Sequence, residues 1–158
     1  MGLVYPQEGR ELYKKAARGL IPGGARKLLE IGPHDIPCIT GKNVWYMDIR
    51  ENTHPNSVQA DAREIPYPWT TDSFDAIVAL QVLGHLGPGF RSIVDEWFRL
   101  SPVVVVSLPF LWEASDSVHD GITEETVDEW FGSRVLEGRV VIGKHPRRRI
   151  VFRVRRKS

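Results

Sequence analysis

The sequence predicts an α/β domain organised around a mostly parallel sheet. Three observations point that way. Apolar runs of strand length recur along the chain, and three of them end in an acid, at Glu30, Asp48 and Asp61. Pro102-Val-Val-Val-Val-Ser-Leu108 is a continuous β-branched run of the kind buried on both faces of a parallel sheet. Phe90, Ile93, Val94, Trp97 and Phe98 fall at the i, i+3, i+4, i+7, i+8 spacing of an amphipathic helix with one buried stripe.

The elements follow in order. Residues 7–20 carry acids early, bases late and few β-branched side chains, which suits a short helix and its macrodipole, and Pro22-Gly23-Gly24 ends it. Lys27-Leu-Leu-Glu-Ile-Gly-Pro-His-Asp35 is the stretch the rest is arranged around. It reads as a buried strand over 27–31 that stops at a glycine and a proline, where the backbone turns tightly. From Pro33 to Gly41 the chain is too short and too rich in Pro and Gly for a full helix, so the first crossover is abbreviated. Strands follow at 44–48, 56–61 and 73–80, with a turn-rich segment at 63–69. After the helix at 89–100 and the strand at 102–108, residues 123–132 open with Thr and first-turn acids and end at a glycine, a helix with both its signals. Residues 135–142 and 149–156 form a closing hairpin. In its second strand Ile150, Phe152 and Val154 alternate with Arg149, Arg153 and Arg155, which predicts one apolar and one solvated basic face.

At 158 residues the chain suits one domain, spanning 1–158. With 42% hydrophobic and 26% charged residues it has a soluble globular composition. No apolar run approaches a membrane span, and the N-terminus lacks the h-region of a signal peptide, so a cytoplasmic location is expected. The single cysteine, Cys38, excludes an internal disulfide, and no cysteine cluster suggests a metal site. Eight of the 21 Lys and Arg, and none of the 20 acids, lie in residues 144–158, so the net charge of +1 hides an acidic body and a basic tail. Such a tail attracts nucleic acid or simply protects a solvated strand.

In open α/β sheets ligands bind at the carboxyl ends of the strands, where these acids and Gly32 fall. A glycine there lets a ligand approach the backbone closely. A pyrophosphate-binding turn needs further glycines and a helix N-terminus, whereas Gly32 is followed by Pro33, His34 and Asp35, so a nicotinamide dinucleotide is disfavoured. A nucleoside with a cationic or zwitterionic tail suits the acids better. Asp48 can accept from both ribose hydroxyls, Asp61 from an exocyclic amine, and Glu30 places negative charge near an amino or sulfonium group.

Leu-Leu-Glu-Ile-Gly-Pro (28–33), Tyr-Met-Asp-Ile (46–49), Ala-Asp-Ala-Arg-Glu-Ile-Pro-Tyr-Pro (60–68), Ser-Phe-Asp-Ala-Ile-Val-Ala-Leu-Gln-Val-Leu-Gly-His (73–85) and Ser-Leu-Pro (107–109) occur in this order. The series resembles the successive motifs of class I S-adenosylmethionine-dependent methyltransferases, most of all their type 11 branch, over residues 27–132. The resemblance implies a Rossmann-like three-layer sandwich: a seven-stranded sheet with an antiparallel last strand and helices on both faces. It implies S-adenosylmethionine as cofactor. Glu30, Gly32, Pro33 and His34 would then lie against its methionine part, Asp48 and Ile49 against ribose and adenine, and Asp61 and Ala62 against the adenine edge. Leu80 and Gln81, just past the fourth strand, would border the transferring methyl. Three features depart from the family pattern: His34 replaces a second glycine, the helix after it is nearly absent, and Gly84 replaces a common acid before His85.

Methyl transfer needs alignment of nucleophile, methyl and sulfur, and an acceptor bearing a proton also needs a base, for which histidine is suited. His85 and His119 are the candidates, in the loops after the fourth and fifth strands. Trp69 and Trp112 are candidate walls of an acceptor pocket, and residues 110–122 its main source of contacts. Few residues remain to build a lid, so an open site would take a bulky or carrier-bound acceptor, or one enclosed by a second subunit of a homodimer. Two other classes stay open: a catalytically inactive S-adenosylmethionine-binding or regulatory protein, and a nucleic-acid-binding module using residues 147–157.

Overall fold

The computed structural model describes residues 7–34, 36–111, 121–144 and 148–157. Seven strands form one sheet: β1 (Leu28–Ile31), β2 (Val44–Asp48), β3 (Ser57–Gln59), β4 (Ala76–Leu80), β5 (Val103–Pro109), β6 (Val135–Ile142) and β7 (Arg149–Arg155). Their order is β3-β2-β1-β4-β5-β7-β6. The pairings from β3 to β5 are parallel, and β7 runs antiparallel to both β5 and β6. This is the expected Rossmann-like sheet with its last strand reversed. The expected third and fourth strands are shorter than the apolar runs that announced them, because residues 73–75 and 60–61 are spent entering and leaving the sheet.

Two apolar layers cover the sheet. On one face α2 (Phe90–Leu100) and α3 (Glu124–Phe131) pack over Leu29, Ile31, Ile77, Val104, Val106 and Phe152. The stripe predicted for α2 is buried, Trp97 fully so. The Thr123 hydroxyl caps α3 by accepting from Thr126 N–H, and Thr126 Oγ1 accepts from Thr123 N–H in return. On the other face the helix α1 (Gln7–Leu20), the one helix there among the described residues, sets Tyr13 and Ala17 against Val78, Leu80, Val105 and Val151. Among the described residues no helix joins β1 to β2, β2 to β3 or β3 to β4. The shortened crossover after β1 fills the gap with Cys38 and Ile39, which lie in the same cluster as Tyr13. No helix is long and apolar enough to cross a membrane among the described residues.

The basic face of β7 is solvated only toward its C-terminal end, at Arg155, which corrects the reading from its alternation. Because β7 lies between β5 and β6, the exposed edge is β6, and α1 covers the face where the arginines point. Arg149 is 6% exposed, with its guanidinium 4.6 Å from the centre of the Tyr13 ring. Arg153 donates to the Leu20 carbonyl at the C-terminus of α1 (3.1 Å) and to Glu137 (2.7 Å). Arg155 donates to Glu137, and Arg156 to Asp72 and the Phe98 carbonyl. Among the described residues, Arg149, Arg153, Arg155 and Arg156 are thus already engaged within the fold. At Gly138, β6 carries a bulge in the left-handed region (φ +64°), directly over Leu20.

Ala17 has no exposed surface and sets how closely α1 approaches the sheet. Ala17→Leu is expected to destabilise the fold by about 1–3 kcal/mol through overpacking. Urea unfolding checks this: the midpoint should fall while the slope is unchanged.

Candidate functional site

Strand order reverses between β1 and β4, and the crevice at such a switch point, at the carboxyl ends of the strands, is where open α/β sheets bind ligands. Gly32 sits there with φ +66°. A Cβ on Gly32 would come within 2.9 Å of Val82 Cγ2, just beyond β4, so both the turn and the close approach need glycine. Pro33 is buried beside it and His34 is exposed. His34 also has a positive φ (56°), as do Gln81 (58°) directly after β4 and Leu111 (59°) two residues after β5. Non-glycine residues in this conformation are uncommon, and three stand at the same end of neighbouring strands.

Backbone bonds gather the predicted residues along these strand ends. Gly32 N–H donates to the Met47 carbonyl (2.8 Å), and Ala60 N–H donates to the Asp48 carbonyl (2.9 Å), which brings Asp61 and Ala62 beside the end of β2. The Asp48 carboxylate is 6% exposed and accepts from His34 N–H at Oδ2 (3.0 Å) and from Arg50 N–H at Oδ1 (3.1 Å). Each oxygen keeps a lone pair for a further donor. Ile49, next in the chain, is 58% exposed, a large apolar side chain lying open beside a buried acid. Asp61 is gripped by Arg63, whose Nη2 lies 2.7 Å from Oδ2, and these bonds hold its carboxyl below the usual range. Gln81 donates from N–H and from Nε2 to Ser107 Oγ, both at 3.0 Å, tying the end of β4 to β5.

Two predicted residues turn away from the crevice. Leu80 is the last residue of β4 rather than a residue beyond it, and its side chain is buried in the α1 cluster, because the strand alternation sends it to that face. Glu30 is also on the α1 face, 3% exposed, and its carboxylate accepts from Cys38 N–H (2.9 Å to Oε1, 3.0 Å to Oε2) and Ile39 N–H (3.1 Å). Lys14 Nζ donates to the Ile36 carbonyl and Arg18 to that of Cys38, while Tyr46 Oη donates to that of Ile39. Glu30 thus anchors the helix-less crossover from below. Burial pushes its carboxyl up to about 7, against the lowering effect of the two amides, Lys14 and Arg18. Burial likewise pushes the Cys38 thiol up to about 12, which makes it an inert core residue.

His85 ends the 3₁₀ turn Leu83–His85 after β4 and is exposed. Trp69 is not a pocket wall. It stacks edge-on between Trp45 near the start of β2 (6.4 Å) and Phe74 just before β4 (5.3 Å), at the opposite end of the strands. Trp112, His119 and most of the expected acceptor segment 110–122 lie outside the described residues. Among the described residues no group of three or more His, Cys, Asp or Glu side chains is placed to hold a metal ion.

No family model matches the sequence, and no curated protein matches it. Solved structures do match its fold. Magnesium protoporphyrin IX methyltransferase from Synechocystis, with bound S-adenosylhomocysteine, superposes with a TM-score of 0.68 at 13% identity, over 95% of this chain and 84% of that one. A putative methyltransferase from Bacillus halodurans gives a TM-score of 0.67 at 13% identity, over 92% and 99%. The N-methyltransferase NodS from Bradyrhizobium japonicum, in complex with S-adenosylhomocysteine, gives 0.67 at 17%, over 94% and 87%. The chain therefore has the fold of class I methyltransferases.

The raised Glu30 carboxyl has a consequence for stability. The folded state holds this proton more tightly than the unfolded chain, so stability falls as pH rises from about 4.5 to about 7 and is flat on either side. Glu30→Gln removes that loss, so wild type should weaken relative to the variant across this window by on the order of 3 kcal/mol. Urea titrations of both proteins from pH 5 to 8 measure it, and parallel curves would show that Glu30 ionises at an ordinary pKa.

Proposed function

We propose that the protein is an S-adenosylmethionine-dependent methyltransferase whose cofactor lies across the carboxyl ends of β1, β2, β3 and β4. The observation that carries the reading is the buried Asp48 carboxylate at the end of β2, bonded to the His34 amide of the Gly32 turn and flanked by the open side chain of Ile49. That is an acceptor pair for vicinal hydroxyls next to an apolar seat for a base. Two solved structures of the same fold hold S-adenosylhomocysteine, which supports the choice of ligand.

In this reading the free lone pairs of Asp48 accept the ribose hydroxyls, and Ile49 lies against the adenine. Asp61 accepts the exocyclic amine, displacing its contact with Arg63, while Ala62 N–H faces the ring edge. Gly32, Pro33 and His34 line the methionine part. Glu30 and Leu80 support the site from beneath the crossover and the end of β4, and Gln81 borders the methyl. When bound, S-adenosylmethionine would supply an activated methyl group for transfer to the acceptor. The chain's part is to hold the acceptor in line and, where the acceptor carries a proton, to remove it. His85, exposed just past β4, is the described residue suited to that base role, and His119 is its counterpart after β5. The acceptor we propose is a bulky or carrier-bound molecule, or one enclosed by a second subunit. No observation favours an inactive or nucleic-acid-binding protein.

Calorimetric titration with S-adenosylhomocysteine tests the reading. Wild type should bind in the micromolar range, and Asp48→Ala should weaken binding by at least about tenfold through lost charge-assisted hydrogen bonds. Absence of binding at millimolar ligand would refute it. With an acceptor in hand, His85→Gln should slow turnover at unchanged S-adenosylhomocysteine affinity. Equal turnover would remove His85 from the mechanism.

A further inference from the structure

Tyr67 lies in the helix-less connection between β3 and β4, yet it is 3% exposed and fully bonded. Its N–H donates to Glu96 Oε2 (2.5 Å), and Glu96 is itself buried on α2. Arg99 forks that carboxylate, Nε to Oε1 at 2.6 Å and Nη2 to Oε2 at 2.8 Å, and reaches the Tyr67 carbonyl at 3.4 Å. The phenol oxygen accepts from Trp97 Nε1 (3.1 Å) and gives its single proton to the Ala62 carbonyl (2.6 Å). Burial keeps that proton on the oxygen well above neutral pH.

The Ala62 carbonyl and the Arg63 N–H belong to one peptide plane. Arg63 N–H donates to Asp61 Oδ1 at 2.9 Å. One rigid plane therefore links the hydroxyl of Tyr67 to the carboxylate of Asp61. The Arg63 side chain holds the same carboxylate, but its guanidinium is exposed and the pair is weak against water, so it yields to an incoming donor. The backbone bond, fixed to a buried network on α2, stays.

We propose that Tyr67 is the positioning residue for base recognition, fixing the Ala62–Arg63 peptide so that the Asp61 carboxylate is aimed at the exocyclic amine of adenine. The inference rests on the cofactor reading above and extends it to the side chain that sets base selectivity. A base with an oxo group at that position presents an acceptor to an acceptor and is rejected only while the carboxylate is held in place.

The test compares S-adenosylhomocysteine with S-inosylhomocysteine, which differ at that group, in wild type and Tyr67→Phe. Wild type should prefer the adenine ligand by about tenfold or more, and the variant should lose most of that preference. In Asp61→Asn, adding Tyr67→Phe should leave the remaining preference unchanged. Amide exchange at Arg63 should quicken in Tyr67→Phe while the sheet amides keep their protection. If both ligands weaken by the same factor in Tyr67→Phe and the preference survives, or if Arg63 keeps its protection, Tyr67 is structural only and the inference falls. If wild type binds neither ligand, the cofactor reading fails first and takes the base-recognition role with it.

Discussion

A backbone N–H that crosses the face of a sheet without a helix around it must find its acceptor elsewhere, and that constraint shapes this protein. Helices satisfy their own amides; the connections ending at β2, β3 and β4 have no helix among the described residues. Three buried carboxylates take over. Glu30 receives the amides of Cys38 and Ile39, Asp48 those of His34 and Arg50, and Glu96 that of Tyr67. Each of these acids is less than a tenth exposed, so each amide bond also answers part of the cost of burying the acid.

The three acids differ in what else sees their charge. Glu96 has a guanidinium in fork geometry, which holds its carboxyl low. Glu30 has no such partner within hydrogen-bond reach, only Lys14 and Arg18 bonded to neighbouring carbonyls, so desolvation prevails and its carboxyl rises to about 7. Asp48 stands at the crevice with a lone pair to spare on each oxygen. The same device therefore serves as a structural anchor under the sheet crossover and as a ligand acceptor at its edge. That economy keeps the seven-stranded sheet with three α-helices among the described residues.

Much of this was legible in the sequence. The seven strands follow from apolar runs, and α1, α2 and α3 from periodicity and end signals. The abbreviated first crossover follows from Pro33, Pro37 and Gly41. The placement of Gly32, Asp48 and Asp61 at strand ends was legible for the same reason. The partner of Glu30 was not, because its amides lie eight and nine residues on, in a loop with no pattern. The basic face of β7 was misread because strict alternation looks the same on a solvated edge as on an interior strand covered by a helix bearing Tyr13. Glu96 was hidden because it lies beside the apolar stripe of α2, next to Asp95, where an acid reads as solvated. Tyr67 left one signal, a tyrosine between two prolines in a segment that reads as turn. The left-handed conformations of His34, Gln81 and Leu111 left none, since none is a residue type that announces positive φ by itself.

The central claim is that one ligand site spans the carboxyl ends of β1 to β4. Backbone amide spectra of the ¹⁵N-labelled protein, recorded with and without S-adenosylhomocysteine, test it most directly. Gly32, His34, Ile49, Ala62 and Gln81 are expected to shift together with one saturation curve, while the amides of α1 and of β6 hold still. Shifts confined to α1 or to the basic strand β7, or no shifts at millimolar ligand, would contradict it.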